Sequence, residues 1–305
     1  MAEEKTKLQQ TIESGKQILV AEISPPTSSD PAAVSEPAAR FAGKVHALGI
    51  SDNRDRVCMS ALAAASLTAA AGVEPILHVV TRDRNRIALL SEYLGARALG
   101  IGNLLCTTGR HQTLGRFRAA KNVFDVDAIQ LLQIYAGIGQ DGSIVGEKRI
   151  DGAGSACLGA VATPYADPVE LQVMRIAKKI AAGATFLISQ PVYDVERFQS
   201  WWKEVSARGL HEKAAIVAGI RPLTDAEGAR AAAEAHPRPG IPEQILQRMD
   251  SKSAGDAQRA EGLKIARETI ERLAACQGLR GFQICAEQDA DAAVQLIEQS
   301  GLEAS

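Results

Sequence analysis

The sequence lacks any CxxC pair: its five cysteines, Cys58, Cys106, Cys157, Cys276 and Cys285, stand far apart. That spacing suggests neither a disulfide framework nor an iron–sulfur or structural zinc site, and reduced cytosolic thiols are expected. An excess of one charge is missing too. The 34 basic and 36 acidic residues leave a formal charge of −2, which provides no general attraction for nucleic acid or an anionic membrane. The expected ligand is small. The start of the chain, with Glu3, Glu4 and Lys5, lacks the basic flank and apolar stretch of a secretory leader, so a cytoplasmic location is expected. No unbroken apolar run calls for a membrane span. Met59 to Val80 comes nearest, but it is rich in alanine and interrupted by Gly72, Glu74 and Pro75, and it reads as a buried helix followed by a strand. No HxH or HExxH spacing surrounds the histidines, so no metal is expected.

A dinucleotide fingerprint is present in form only. Gly137-Ile138-Gly139-Gln140-Asp141-Gly142 follows a helical segment instead of a strand and opens no helix, so the phosphate cradle has no context. It reads as a surface turn, at the start of a glycine-rich and charged excursion from Gly137 to Gly154.

What the chain does contain is 46% hydrophobic residues over 305 positions, enough for a large core. Short β-forming runs at Ile18–Ile23, Ala47–Ser51, Glu74–Val80, Asn103–Thr107, Cys157–Ala162, Thr185–Gln190, Ala214–Gly219 and Gly281–Cys285 are nearly continuous in apolar residues, as in a parallel sheet covered on both faces. Helical patterns fall between them at Ser60–Ala71, Asn85–Tyr93, Asp127–Tyr135, Pro168–Ala182, Asp194–Ala207 and Thr224–Ala235, with Ala290–Ser300 after the last. Repeated β-then-α order predicts an α/β protein, a single (β/α)₈ TIM barrel spanning residues 1–305, with a polar N-terminal segment over 1–15. The seventh connection, 224–279, is long and is expected to hold extra helices, Pro242–Met249 and Gly262–Gln277. A doubly wound sheet shares this alternation and is the alternative architecture. Asp167-Pro168 reads as a helix cap followed by a first-turn proline.

Polar groups collect at the carboxyl ends of these strands: Glu22, Ser51 and Asp52, His78, Thr107 to His111, Thr163, Gln190 and Arg221. In a barrel they would face one mouth, where chemistry sits. Glu22, among apolar neighbours and ahead of Pro25-Pro26, is expected to have a raised pKa and to serve as a general acid, or else to be a structural carboxylate. His78, a lone histidine on an apolar strand, reads as a hydrogen-bonded core residue more readily than as a ligand. The run from Thr81 to Arg86 reads as a capped helix start with Asp83 at the positive end of the dipole, or as arginines that reach a phosphate or an anionic glutamate tail. After the fourth strand, Gly109 is followed at once by a cation, Arg110, and an imidazole, His111.

Taken together these residues resemble the methylenetetrahydrofolate reductase family, flavoenzymes on a (β/α)₈ barrel. The matching features run in family order: Ala21 to Pro26, Ser51-Asp52-Asn53, Pro75 to Arg86, Thr108-Gly109 with His111-Gln112, Val123 to Asp127, Gly183-Ala184 leading to Ser189 through Asp194, Gly219 to Leu223, and Pro239 to Pro242. The His111-Gln112 form is similar to the short bacterial reductases that work with a separate cysteine-rich subunit. The resemblance implies a flavin, FAD or FMN, contacted by Ser51, His78, Thr108, Gly109, Arg110, Lys179 and the strand-five end near Ala162 and Thr163. It implies Glu22 as the acid that protonates the folate nitrogen, and Gln190 as a hydrogen-bonding partner of the pterin. The implied reaction passes hydride from reduced flavin to 5,10-methylenetetrahydrofolate, giving 5-methyltetrahydrofolate, with NAD(P)H or the cysteine-rich partner as electron source. A homo-oligomer is compatible with it. A flavin- or folate-binding subunit of a redox assembly and a pterin-dependent methyltransferase are the other readings.

One position departs from the family. Arg110 stands where the family carries a carboxylate beside flavin and pterin, so it is expected to touch both cofactor and substrate. A cation there should weaken the flavin as a hydride donor and repel a cationic folate intermediate. The family's aromatic contact after strand seven is also missing, since the loop reads Pro222-Leu223-Thr224-Asp225-Ala226.

Overall fold

The computed structural model describes residues 5–54, 56–143, 150, 154–234, 240–287 and 289–304. Its first half runs α1 (Lys7–Ser14), β1 (Ile18–Ile23), α2 (Ala32–Ala39), β2 (Ala47–Ile50), α3 (Ala61–Ala70), β3 (Pro75–Val80), α4 (Arg86–Ala98) and β4 (Asn103–Thr107). A 3-10 turn at Gln112–Leu114 precedes α5 (Ala128–Asp141), β5 (Cys157–Ala162), α6 (Val169–Ala181), β6 (Phe186–Pro191), α7 (Val195–Ala207) and the single turn α8 (Leu210–Lys213). The chain continues through β7 (Ala215–Ile220), α9 (Ala226–Glu234), α10 (Glu243–Asp250), α11 (Asp256–Ala274), β8 (Gly281–Glu287) and α12 (Ala290–Gln299).

All neighbouring strands are parallel, and β1 pairs with β8 from Ile18↔Gly281 to Ile23↔Glu287, so the sheet closes on itself. That closure rules out the doubly wound alternative. The expected strands all form, with ends shifted by one or two residues. Three helices, α9 to α11, occupy the seventh connection as expected, and they pack around Leu223, Met249 and Ile265. Among the described residues no helix is long and apolar enough to cross a membrane.

Strand parity sorts the core. Even positions of β1 and β3 (Ile18, Val20, Ile76) and of β6 (Phe186, Ile188) pack together inside the barrel with Leu105, Cys157, Ala215 and Val217. Their odd neighbours, such as Leu19, Leu77 and Leu187, join the layer beneath the helices. Small and large residues interleave in the interior: a Cβ at Gly159 would sit 2.2 Å from the ring of Phe186.

Two local expectations are corrected and two are made more specific. The polar segment 1–15 contains α1, whose buried Leu8 inserts among the interior residues Ile18, Val20, Ala47 and Ile76. The helix is held by Thr6, whose hydroxyl accepts from Gln9 N at 3.1 Å, and by the Glu74 carboxylate, which accepts from Lys7 N (2.6 Å) and Leu8 N (3.0 Å). An anion at a helix N-terminus meets both the orphan N–H groups and the dipole. Leu8→Ala is therefore expected to cost about 3 kcal/mol of stability, measured by urea unfolding; a loss within 0.5 kcal/mol would deny the plug role.

Next, the glycines of 137–142 are not a surface turn: α5 continues through Asp141, and Gly142 ends it with φ +75° and an N–H bond to Ile138 O. Gly139 is small because Ser155 packs on it, with Cα 3.1 Å from a Cβ built there. Most of the excursion beyond, 144–149 and 151–153, lies outside the described residues. Third, Asp167 does not cap α6. Pro168 occupies the cap position after a cis peptide, and Asp167 bonds to Arg197 at 2.9 Å. Fourth, the capped helix start after Thr81 is that of α4, and Asn85 is the cap, accepting from Ala88 N at 3.1 Å. Helix α2 had no counterpart in the sequence reading, where Pro31 and Pro37 disguise it.

Candidate active site

Continuing each inward row by one step past the apolar floor replaces Val20, Ile76 and Ile188 with Glu22, His78 and Gln190. On β8 the corresponding inward residues are Gln283, Cys285 and Glu287. These side chains line a cavity of about 500 Å³ at the carboxyl end of the barrel, within the range that holds cofactors and drug-sized ligands. Ser51, Thr108, Gly109, Arg110 and Lys179 line it too. Of the residues that the resemblance assigns to flavin or folate, Ala162 alone does not. On β5 the odd positions Cys157 and Val161 belong to the interior, so Ala162, an even position, turns its methyl group into the outer layer, while Val161 and Thr163 face the cavity.

Glu22 is 3% exposed. Its Oε1 accepts from Arg54 Nη2 at 2.7 Å and its Oε2 from Gln283 Nε2 at 2.9 Å. Burial is the largest single influence and pushes its pKa up, yet Arg54, then His78, Gln283 and Arg221, together draw it below the ordinary carboxylate range. The expected rise is overturned: Glu22 is an anion at rest. Arg54 reaches it from the β2–α3 loop, which turns at Asn53 with φ +38°, and its other nitrogen, Nη1, lies 3.3 Å from Glu287. Glu287 itself has φ +50°, at a bulge where β8 skips a residue against β1, and it also binds Arg221 at 2.9 Å.

His78 fits its site because β2 offers Gly49 beside it, where a Cβ would lie 3.0 Å from Nε2. That Nε2 is buried and has no hydrogen-bond partner among the described residues, and neither has the hydroxyl of Tyr193 on the same wall. Burial lowers the His78 pKa against the pull of Glu22, with Arg54 lowering it further. Lys179 reaches up from α6 to donate to Val161 O at 2.5 Å. Burial, aided by Arg175 and opposed by Asp127, lowers its pKa to about 8, so it stays cationic at neutral pH.

The fourth loop is braced by Arg82. This buried guanidinium donates to Asn53 O (2.7 Å), Arg110 O (3.2 Å) and Asp83, binding three strand ends together. Gly109 lies so close to β3 that a Cβ there would meet Val80 Cγ1 at 2.8 Å, and its φ is +80°, so glycine is required on both counts. The Thr108 hydroxyl accepts from Ala128 N at 3.0 Å and anchors α5. This bracing sends the Arg110 side chain to the cavity wall, where burial, then Arg54, lowers its pKa. His111 instead is exposed and accepts from Thr113 N at 3.3 Å to cap the 3-10 turn. The neighbouring arginines are also engaged internally: Arg84 with Asp52 at 2.6 Å and Arg86 with Asp125 at 3.3 Å. The run therefore braces the mouth, and its Arg82 also lines the cavity.

Sequence reading did not single out Arg54, Gln283 or Tyr193 for a role in the site. Gln283 left a signal, a polar residue inside an apolar strand; Arg54, in a charged loop, left none.

Among solved structures, an uncharacterized protein from Clostridium thermocellum that binds two copies of 5-methyl-5,6,7,8-tetrahydrofolic acid superposes with a TM-score of 0.66 at 14% identity, covering 96% of this chain and 98% of that one. An F420-dependent secondary alcohol dehydrogenase superposes with a TM-score of 0.54 at 12% identity, covering 93% of this chain and 98% of its own. At such identities these likenesses show the barrel fold. In sequence, a probable methylenetetrahydrofolate reductase (NADPH) of Caenorhabditis elegans is 24% identical over 226 residues, 72% of this chain and 31% of the relative, so the match spans about a third of that protein's length. The methylenetetrahydrofolate reductase family model matches residues 7–301, nearly all of the 305, and the chain belongs to that family.

Proposed function

We propose that this chain holds a flavin and a reduced folate in the barrel-mouth cavity and reduces 5,10-methylenetetrahydrofolate to 5-methyltetrahydrofolate. The supporting observation is that Glu22, His78, Gln190 and Lys179 share one cavity in a chain of this family. The folate in the Clostridium thermocellum neighbour and the name of the Caenorhabditis elegans relative agree with it.

The cavity wall suits a flavin. Buried polar atoms are nearly always paired, and here His78 Nε2 and the Tyr193 hydroxyl lack protein partners, so a polar ligand would complete the wall. Lys179, Arg110 and Arg175 supply cationic donors for an anionic group on the α6 side. Ser51, His78, Thr108, Gly109, Arg110 and Lys179 would hold the flavin, with Thr163 and the main chain at Ala162 forming the strand-five contact. When bound, the flavin supplies hydride chemistry. Glu22, an anion at rest, would take up a proton from solvent at the open mouth and deliver it to the folate nitrogen as the one-carbon bridge opens, Gln190 and Arg110 would position the pterin, and the apolar floor of Leu105 and Ile188 excludes water from below.

Electrons would come from a cysteine-rich partner subunit of the kind that the His111-Gln112 form suggests, or from NAD(P)H as in the relative's name; a cytoplasmic setting belongs to the same reading. The deciding experiment is anaerobic. The purified protein is expected to be yellow and its flavin absorbance to be bleached by 5-methyltetrahydrofolate. Bound flavin that does not bleach would replace this reading with a binding subunit of altered redox chemistry, the alternative that Arg110 on the wall favours. Colourless protein that binds the folate would point to a methyltransferase.

A further inference from the structure

The ring of Tyr193 packs with Leu223, Ala226, Ala229, Met249 and Ile265, the separate core of the seventh connection, yet the residue also lines the barrel-mouth cavity. Its hydroxyl end faces that cavity, because the groups that act on the phenol, Arg221, Cys285 and Glu287, all line it. Tyr193 is 5% exposed, and its hydroxyl has no hydrogen-bond partner among the described residues. A buried polar group left in this state costs stability until an acceptor arrives. Burial pushes the phenol pKa up, so the group keeps its hydrogen at neutral pH and acts as a donor.

The backbone on either side holds Tyr193 in place. Val192 N donates to Gly219 O of β7 at 2.8 Å. Asp194 caps α7 by accepting from Arg197 N at 2.9 Å, and its carbonyl accepts from the Tyr165 hydroxyl at 3.1 Å. Leu223, in the same core as the ring, is held as firmly: α11 lies so close that a Cβ at Gly262 would fall 1.6 Å from Leu223 O, and Gln258 accepts from Ala226 N at 3.0 Å. The hydroxyl is therefore fixed before any ligand enters, and fixed donors are the ones that discriminate.

Position around the mouth says which ligand it meets. The cations Arg110, Arg175 and Lys179 come from the loop after β4 and from α6, the side proposed for the flavin. Tyr193 stands further round the barrel, between Gln190 at the end of its own strand and Arg221 after β7, toward Gln283 and Glu22 on the paired strands β8 and β1. We infer that Tyr193 is a specificity-determining residue of the substrate side: its hydroxyl donates to an acceptor atom of the ring system that lies against Gln190, and the core of α9 to α11 holds it there. A ring that presents an N–H at this point leaves the hydroxyl hydrogen unpaired and is disfavoured. The inference rests on the proposed folate chemistry for the identity of the ring.

The test measures calorimetric binding of 5-methyltetrahydrofolate to purified wild type and Tyr193→Phe, with urea unfolding of both in the absence of the folate. Tyr193→Phe should raise the Kd about tenfold, keep the wild-type flavin content, and unfold at a urea midpoint no lower than that of the wild type, since it removes an unpaired group and keeps the ring. A Kd within about twofold of the wild type, or a lower midpoint, which would mean that the hydroxyl is already paired, overturns the inference. Met249, fully buried in the same core, supplies the second arm. Met249→Ala should raise the Kd about threefold in the wild type and leave it unchanged in Tyr193→Phe; equal effects in the two backgrounds would mean that this core does not act through the hydroxyl. Ile265→Val, a smaller cut in the same core, makes the same comparison if Met249→Ala does not fold. Wild type that fails to bind the folate overturns the proposed function, whereas wild type that binds it no better than Tyr193→Phe overturns this inference alone.

Discussion

Glu22→Gln is expected to slow single-turnover reduction of 5,10-methylenetetrahydrofolate by about 10²- to 10⁴-fold, the usual contribution of a positioned general acid, with flavin content unchanged. Glutamine keeps the shape: its carbonyl can accept from Arg54, and its NH2 can donate to Gln283 once that amide turns its oxygen inward, so the network that surrounds Glu22 is largely kept while the carboxyl that would take up and pass on the proton is lost. Arg54, half-exposed and already within reach of Glu287, is not stranded by the change. Full activity in this variant would remove Glu22 from the acid role. The same substitution has a signature in stability. Because the folded Glu22 titrates below its ordinary value of 4.5, the stabilisation from its ion pair is complete above that value and is lost as pH falls through the folded value. Urea midpoints recorded from neutral to acid pH should show the advantage of the wild type over Glu22→Gln shrinking in that window. A constant difference would mean that Glu22 is not ionised at rest.

The contrast between the expected and observed state of Glu22 shows how far the sequence reaches. Period-two parity was legible: Glu22, His78 and Gln190 follow Val20, Ile76 and Ile188 on the same inward rows, and that arithmetic brings them together without coordinates. It also explains the misplacement of Ala162, since shifting by a single residue exchanges the two faces of a strand. Barrel closure was not legible at the level of pairs. Gln283 lies 261 positions from Glu22 in the chain, and only the register of β8 on β1 makes them neighbours. Arg54 sits in a loop whose direction depends on the left-handed backbone at Asn53. From burial alone the carboxyl pKa should rise; the guanidinium that reverses it is supplied by tertiary structure. Helix α1 was hidden for a similar reason. Its only deeply inserted apolar residue is Leu8, and the N-terminal anion that holds it, Glu74, belongs to the far side of α3 in sequence.

Arg110→Asp is expected to speed the folate half-reaction and to lower the flavin midpoint potential. The braced loop fixes Arg110 on the cavity wall that Glu22 and Gln190 also line, and the guanidinium remains protonated there even though burial and Arg54 lower its pKa. A cation on this wall favours the reduced, anionic flavin and disfavours the positive charge that develops on the folate as its bridge opens. At about 4 Å and an effective dielectric of about 20, one such unit-charge interaction is about 4 kcal/mol, or about three orders of magnitude in rate. Reversing the sign restores the carboxylate that the family carries at this position. The bracing does not depend on the side chain, because Arg82 holds the carbonyl oxygen of residue 110 and Gly109 sets the turn, so Arg110→Asp should fold as the wild type does, and rate and potential are compared on flavin-saturated protein because Arg110 is itself among the groups that would hold the flavin. Arg110→Gln, which removes charge without reversing it, should fall between the two in both rate and potential. A graded series Arg, Gln, Asp is what electrostatics requires. If rate and potential are the same in all three, the charge of Arg110 does not act on the reaction, and the departure from the family at this position must act through shape alone.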